Sequence, residues 1–204
     1  MRQQLAAMLE LQNAINTRIH ADWRGRNLKW HRAIWIECAE LLDHFGWKWW
    51  KKQSSDMRQV RLELIDIWHF GLSLLLQQGT ALAVIEQQLN RGLKRSATTD
   101  FCDDVEIFAG HVLAEKSFNI EYFGRLMAAV ELDFETLYTD YVSKNILNIF
   151  RQDHGYKEGT YQKIWQGRED NEHLIDIIAM LDVDADNFQD QLYYQLAARY
   201  QACL

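Results

Sequence analysis

The sequence predicts an all-α fold, a helical bundle with a four-helix metal-binding core. Three observations lead there. The chain has 204 residues and no proline, where average usage of about 5% would supply roughly ten. The pyrrolidine ring removes a backbone hydrogen bond and clashes with the preceding turn, so a chain built of helix interiors excludes it. Apolar residues recur at spacings of three and four over most of the length, which is the helical period. Finally, Glu37-x-x-Glu40 is repeated as Glu63-x-x-Asp66. Residues three apart share a helix face, with Cβ atoms about 5–6 Å apart. Two such helices side by side aim four carboxylates at one point. Ile34 and Leu41 bracket Glu37, and Val60 and Ile67 bracket Glu63. Acids converging beside a core repel one another and lose solvation, so something positive must compensate. A divalent cation, Mg²⁺ or Mn²⁺, is the simplest compensation.

Composition removes several function classes. A chain of this length buries one core well, so a single domain over residues 1–204 is expected. The net charge is −7 and no basic run exceeds Lys51-Lys52, which argues against a nucleic-acid polymer as partner. Cys38, Cys102 and Cys203 are widely spaced and form no C-x-x-C pair, so neither a disulfide framework nor a zinc site is expected. There is no signal-peptide pattern, and no apolar run approaches membrane-spanning length. The expectation is a cytoplasmic protein without membrane contact.

The first helix is predicted over 2–20, with Leu5, Met8, Leu9, Ile15 and Ile19 on one stripe. Gln12 and Asn16 interrupt that stripe. They are either inward amides satisfied by their neighbours or a polar patch in a pocket wall, where paired donors and acceptors suit a nucleobase edge. A linker at 22–29 contains Gly25 and Asn27, and a second helix over 30–45 ends at Gly46. Trp47-Lys48-Trp49-Trp50-Lys51-Lys52 follows. These residues either pack at a helix junction or stack on a base or sugar, as Trp50 would, while Lys51 approaches a phosphate.

Ser54-Ser55-Asp56 is an N-cap cluster for a third helix over 57–77. From Leu62 to Leu76 that helix is apolar on nearly every face, so it is expected to be central. His69, three residues beyond Asp66, is either a hydrogen-bonded core residue or part of the site. Helices over 81–93 and 100–114 flank a polar Lys94-Arg95-Ser96 connection, and two more follow over 122–132 and 134–152. On the last of these, Leu137, Tyr141, Lys144, Asn148 and Arg151 form one stripe, apolar above and basic below. Gly155 closes it. Residues 156–171 read as a loop with two glycines, three basic residues and two tyrosines, including Tyr156 and Lys163. Such a loop is either ordinary surface or a flexible flap over phosphates. Helices over 172–181 and 186–203 finish the chain.

An acid cluster for metal, a basic stripe for phosphate, and amides with tryptophans for a base fit a metal-bound nucleoside polyphosphate. The chain has no P-loop, no kinase glycine loop and no recognisable Ser/His/Asp order. Metal-assisted phosphoanhydride hydrolysis needs only carboxylates, cations and water, and a carboxylate not fully committed to metal can serve as general base. A carboxylate-bridged di-iron site is the competing chemistry, but it takes Glu-x-x-His pairs, and this chain has none, with Asp66-x-x-His69 the nearest pattern on the carboxylate helices. A non-enzymatic helical interaction protein is the other alternative.

Longer motifs carry a resemblance. Glu37-Cys-Ala-Glu40-Leu-Leu-Asp43, Trp47-Lys48-Trp49-Trp50-Lys51 and Glu63-Leu-Ile-Asp66-Ile-Trp68-His69-Phe70 resemble the dimeric, all-α dUTPases. So does Lys144-Asn145-Ile-Leu-Asn148-Ile-Phe-Arg151-Gln152, continuing through Gly155-Tyr156-Lys157 and Tyr161-Gln-Lys163-Ile-Trp165 to Glu169-Asp170-Asn171. That family is part of the all-α NTP pyrophosphatase superfamily, which includes the MazG proteins. The resemblance covers roughly 9–77 and 137–171, and leaves 79–132 as a variable helical middle. It implies Mg²⁺, with Mn²⁺ as substitute, held by Glu37, Glu40, Glu63 and Asp66. It implies phosphate contacts at Lys144, Asn148, Arg151, Tyr156 and Lys163, with Gln12, Asn16, Trp50, His69 and Asn171 around base and sugar. The implied reaction is hydrolysis of dUTP, a deoxynucleoside triphosphate, to dUMP and pyrophosphate by a homodimer. A dCTP or broader dNTP pyrophosphatase would keep the same metal and phosphate residues.

Overall fold

The structure, a computed structural model, describes residues 1–94, 100–183, 185 and 187–203. Among them are nine helices and one short hairpin, distributed over two compact units, Met1–Tyr138 and Thr139–Leu204. The all-α expectation holds. No helix among the described residues is long and apolar enough to cross a membrane.

The first unit contains α1 (Arg2–Ile19), α2 (Trp30–Phe45), α3 (Met57–Gln78), α4 (Leu82–Leu93), α5 (Phe101–Glu115), α6 (Ile120–Ala129) and the start of α7 (Phe134–Asp153). As its composition predicts, α3 is the buried axis: Val60, Leu64, Ile65, Ile67, Trp68 and Leu72 are fully enclosed. It packs on α1 and α2, while α2 packs on α5, and α4 on α6. The Asp56 side chain caps its start by accepting from the Arg58 and Gln59 amides. Gly79, at φ +72°, ends it in a left-handed turn in which the Thr80 amide reaches back to the Leu75 carbonyl. Trp68 ties this axis to α6 by stacking on Phe123 at 5.0 Å, and its indole N–H donates to the Met8 sulfur on α1.

Helix α6 departs from the expected 122–132. It begins at Ile120 because the Asn119 side chain caps it by accepting from the Tyr122 amide. It stops at Ala129 because Glu131 turns left-handed (φ +54°), the Glu131 amide bonding to the Ala128 carbonyl and the Leu132 amide to the Met127 carbonyl. Val130 and Leu132 are nevertheless buried, so the apolar pattern runs past the helix end. Of the Lys94-Arg95-Ser96 connection, Arg95 and Ser96 lie outside the described residues, as does Asp186 at the start of the predicted last helix.

The second unit holds the rest of α7, α8 (Asp170–Ile178) and α9 (Phe188–Gln201). The stretch read as a loop, 156–171, instead contains a short hairpin and the start of α8. Ile164–Trp165 and Arg168–Glu169 pair antiparallel as β1 and β2, joined by Gln166 and Gly167, both at positive φ (+50° and +81°). Positive φ at both central residues makes the two-residue turn that matches strand twist. Trp165 is fully buried against Phe150, His173 and Tyr200, so the hairpin is anchored by an aromatic core rather than loose. Helix α8 starts two residues earlier than expected, at Asp170, where Glu169 and Glu172 form a capping box.

Candidate active site

Helices α2 and α3 bring Glu37, Glu63 and Asp66 together, with a carboxylate oxygen from each lying within 4.8 Å of the others. Ile34, Leu41, Val60 and Ile67, the predicted apolar brackets, are all fully buried. They fix the two helices and so fix the acids. Glu63 is only 6% exposed. Two carboxylates no more than 4.8 Å apart repel by at least roughly 3 kcal/mol at an effective dielectric near 20. Three together make a strong demand for positive charge. An all-oxygen anionic donor set suits a hard divalent cation rather than a soft metal, so these residues fit the group the resemblance implies. The His44 imidazole lies 3.5 Å from a Glu63 oxygen. Glu40, the fourth expected carboxylate, is solvent-exposed and stands outside the cluster of three.

Gln12, Asn16 and His69 also come together, in the core between α1 and α3. The Gln12 amide nitrogen donates to Asn16 Oδ1 (3.1 Å) and Ser73 Oγ (3.0 Å), and the Asn16 amide nitrogen donates to Ser73 Oγ at 2.9 Å. His69 Nδ1 pairs with Gln12 Oε1 at 2.9 Å, and Ser73 donates to the His69 carbonyl. All four side chains are buried. The amides thus point inward and bond to one another, to Ser73 and to His69. Trp50 and Lys51 lie elsewhere, in the exposed turn after α2, where Trp50 meets Trp47 and Trp49 edge to face. Trp49, at 89% exposure, is more open than an indole without a ligand or partner usually is.

In the second unit, the basic stripe of α7 converges on the start of α8. Arg151 grips Asp170 with a fork, Nε and Nη2 each donating to a different carboxylate oxygen at 2.8 Å. Its Nη1 donates to Asn148 Oδ1 and its Nη2 also to Asn171 Oδ1. Lys144, 1% exposed, donates from Nζ to the same Asn171 oxygen at 2.9 Å. Tyr161 gives its hydroxyl proton to Asp170 Oδ2 at 2.8 Å. Burial and the neighbouring Asp170 carboxylate both push the Tyr161 pKa far up, so it stays a donor. Tyr156 sits under the Arg151 guanidinium at 5.8 Å. Lys163 is paired with Glu169 at 2.9 Å.

Lys144, Asn148, Arg151 and Tyr156 thus share one network, with Lys163 in a separate ion pair, and the hub is a residue to which sequence reasoning gave no role. Asp170 is fully buried. In sequence it looks like an ordinary acid at a helix start; only its partners identify it. Ser73 had a clearer signal, as a hydroxyl one turn after His69 on an otherwise apolar helix. His44 had one too, seven residues after Glu37 and hence on the same face.

A dUTPase family model matches residues 4–156, three quarters of the chain, from α1 to the turn after α7. That span contains the carboxylate cluster, the buried amide network, Lys144, Asn148 and Arg151, while Lys163, Asp170 and Asn171 lie beyond it. No curated protein matches the chain. With its helical bundle and its carboxylates on adjacent helices, the chain belongs to the all-α dUTPase family and is a nucleotide hydrolase of the dUTP diphosphatase type.

Proposed function

We propose that the protein hydrolyses dUTP to dUMP and pyrophosphate, with Mg²⁺ as cofactor and Mn²⁺ as substitute. The observation that carries this reading is the convergence of Glu37, Glu63 and Asp66 inside the span matched by the dUTPase family. These three would hold the cation, and Glu40 is the fourth carboxylate of the site. Bound there, the cation neutralises phosphate charge and lowers the pKa of a water molecule. Glu40 is exposed and outside the cluster, which leaves it free to take the proton from the attacking water. Water adds to the α-phosphorus, the α–β phosphoanhydride bond breaks, and pyrophosphate leaves with the electron pair.

Lys144, Asn148, Arg151, Tyr156, Lys163 and Asn171 are assigned to the phosphates and sugar. Lys144 and Arg151 together outweigh the single charge of Asp170, so this network keeps a net positive character suited to an anion. Gln12, Asn16 and His69 are assigned to the base side, where their mutual hydrogen bonds hold the wall rigid, with Trp50 and Lys51 closing from the exposed turn. The working assembly is a homodimer in the cytoplasm, each chain acting as one catalytic domain.

The test is a panel of dUTP, dCTP, dTTP, dATP, dGTP and UTP with Mg²⁺, reading pyrophosphate release. Turnover of dUTP well above the others is the expected result, and equal or faster use of dCTP would replace the substrate assignment. Glu37→Gln, Glu63→Gln and Asp66→Asn are each expected to cost at least about a hundredfold in kcat with helical content retained. Wild-type rates in any of these variants, or in excess EDTA, would refute the metal assignment.

A further inference from the structure

A second cation-rich place exists in the first unit, away from the carboxylates. A cavity of about 460 Å³ opens where the 20–29 turn, the start of α2, the end of α3 and the C-cap of α5 meet. Arg24, Lys29, His31 and Lys116 line it together with Gln77 and Gln78, and no carboxylate does. Gln77 is eleven residues beyond Asp66, roughly 16 Å along α3. In a chain of net charge −7, four basic side chains from three segments facing one cavity need a reason.

The cavity is built rather than incidental. Gln77 Oε1 accepts from the Leu28 amide (3.0 Å) and from the Trp30 indole N–H (3.2 Å), which latches the turn to α3. Trp30 stacks on Phe70 and meets the buried Trp23 edge to face, and Arg24 lies over the Trp23 ring. Lys116 caps α5 at φ +51°, a left-handed conformation that glycine adopts freely and a lysine adopts at a cost. Gln78 donates to its carbonyl. A lysine is thus kept where glycine would relax the backbone, and that lysine faces the cavity. Lys29, the N-cap residue of α2, brings no side-chain acceptor to the first turn, so the positive end of that helix adds to the field. Asp22, the acid of the same turn, sits beside Gly25 and does not line the cavity.

We propose that this cavity is a binding site for a polyphosphate anion, separate from the carboxylate cluster: a group of two linked phosphates, either free or as the tail of a nucleotide. Paired phosphates match the recognition chemistry of two lysines and an arginine converging without a competing acid. The His31 imidazole reports the field. Burial lowers its pKa first, then the charges of Arg32, Lys116 and Lys29. Arg32 comes from its own helix, Lys29 and Arg24 from the turn, and Lys116 from α5, while α3 offers only uncharged Gln77 and Gln78. An anion seated among these groups relieves that field and raises the His31 titration midpoint.

The experiment follows the His31 ring by NMR in the full-length, EDTA-treated protein, titrated with pyrophosphate, with a nucleoside diphosphate, and with sulfate at matched ionic strength. Pyrophosphate is expected to shift the His31 resonances saturably and raise its midpoint. Sulfate is expected to do neither. Tighter binding of the nucleoside diphosphate assigns the site to nucleotide tails, and equal or weaker binding assigns it to free polyphosphate. Lys116→Gly removes the charge while relaxing the left-handed backbone, so affinity should fall about tenfold with no loss in Tm, and Lys29→Gln should fall similarly. Asp66→Asn should leave the response intact. Unchanged affinity in both lysine variants, an equal response to sulfate, or loss of the response in Asp66→Asn would each overturn the proposal.

Discussion

At the scale of single residues, Asp170 shows how a site is held from behind. It is fully enclosed yet charged, which is tolerable only because Arg151 meets both its oxygens and Tyr161 adds a third hydrogen bond. Burial alone would push its pKa up. The Arg151 hydrogen bonds and charge, with Tyr161 and Lys144, outweigh burial and hold it below the ordinary carboxylate value. A folded-state pKa below the unfolded one means stability that is present above about pH 4 and is lost as pH falls through the folded value. Asp170→Asn keeps the shape and removes the charge, leaving the Arg151 guanidinium without its counter-ion. Breaking such a pair costs about 3–5 kcal/mol. The expected outcome is a lower Tm at neutral pH and a shallower fall in Tm on acidification than in the parent protein. Parallel melts across the acid range check it. An unchanged acid limb would mean that Asp170 does not carry this linkage.

At the scale of elements, the crossing of α4 and α6 depends on two glycines. A Cβ at Gly92 would lie 2.6 Å from the Glu121 carbonyl oxygen, and one at Gly124 would lie 2.9 Å from the Gly92 backbone. Backbone cannot step aside as a side-chain tip can. Gly92→Ala or Gly124→Ala should therefore destabilise by about 1–3 kcal/mol. Gly110→Ala, on α5 with open space around it, should stabilise by up to about 1 kcal/mol through helix propensity. Denaturant melts of the three variants separate the effects, and equal shifts for all three would refute the close-packing account. This crossing was not legible in the sequence, because the two glycines are remote from each other and neither breaks the local pattern. Boundaries fixed by a local cap were legible: Gly46 after α2, Asp56 before α3 and Gly155 after α7 all act as their residue types predict. The end of α6 was hidden because its left-handed residue is Glu131, not the glycine that signals such a stop. The hairpin was hidden because each strand is two residues long, too short for alternation to register. The carboxylate cluster was legible as spacing on two helices, but spacing could not tell that Glu40 turns to solvent while Asp66 does not.

At the scale of the whole molecule, the carboxylate cluster couples stability to divalent metal. Without a cation, Glu37, Glu63 and Asp66 repel one another across no more than 4.8 Å. A cation that binds the folded chain alone stabilises it by about 2.7 kcal/mol at a hundredfold excess over Kd. Because the chain forms two compact units, a single melt can blend two transitions, so the measurement must be local. Hydrogen exchange on peptides from α2 and α3 meets that need. Mg²⁺ should slow exchange there by up to about a hundredfold, the same free energy read as a protection factor. Asp66→Asn makes the opposite demand on the mechanism. Removing one of three mutually repelling charges should slow metal-free exchange in α2 and α3 relative to the parent, while abolishing the response to Mg²⁺. A residue that merely packed would behave otherwise, since its substitution would speed exchange in the metal-free state and leave the metal response intact. The pair of signs therefore separates a cation site maintained at a cost in stability from an acidic patch that happens to be buried.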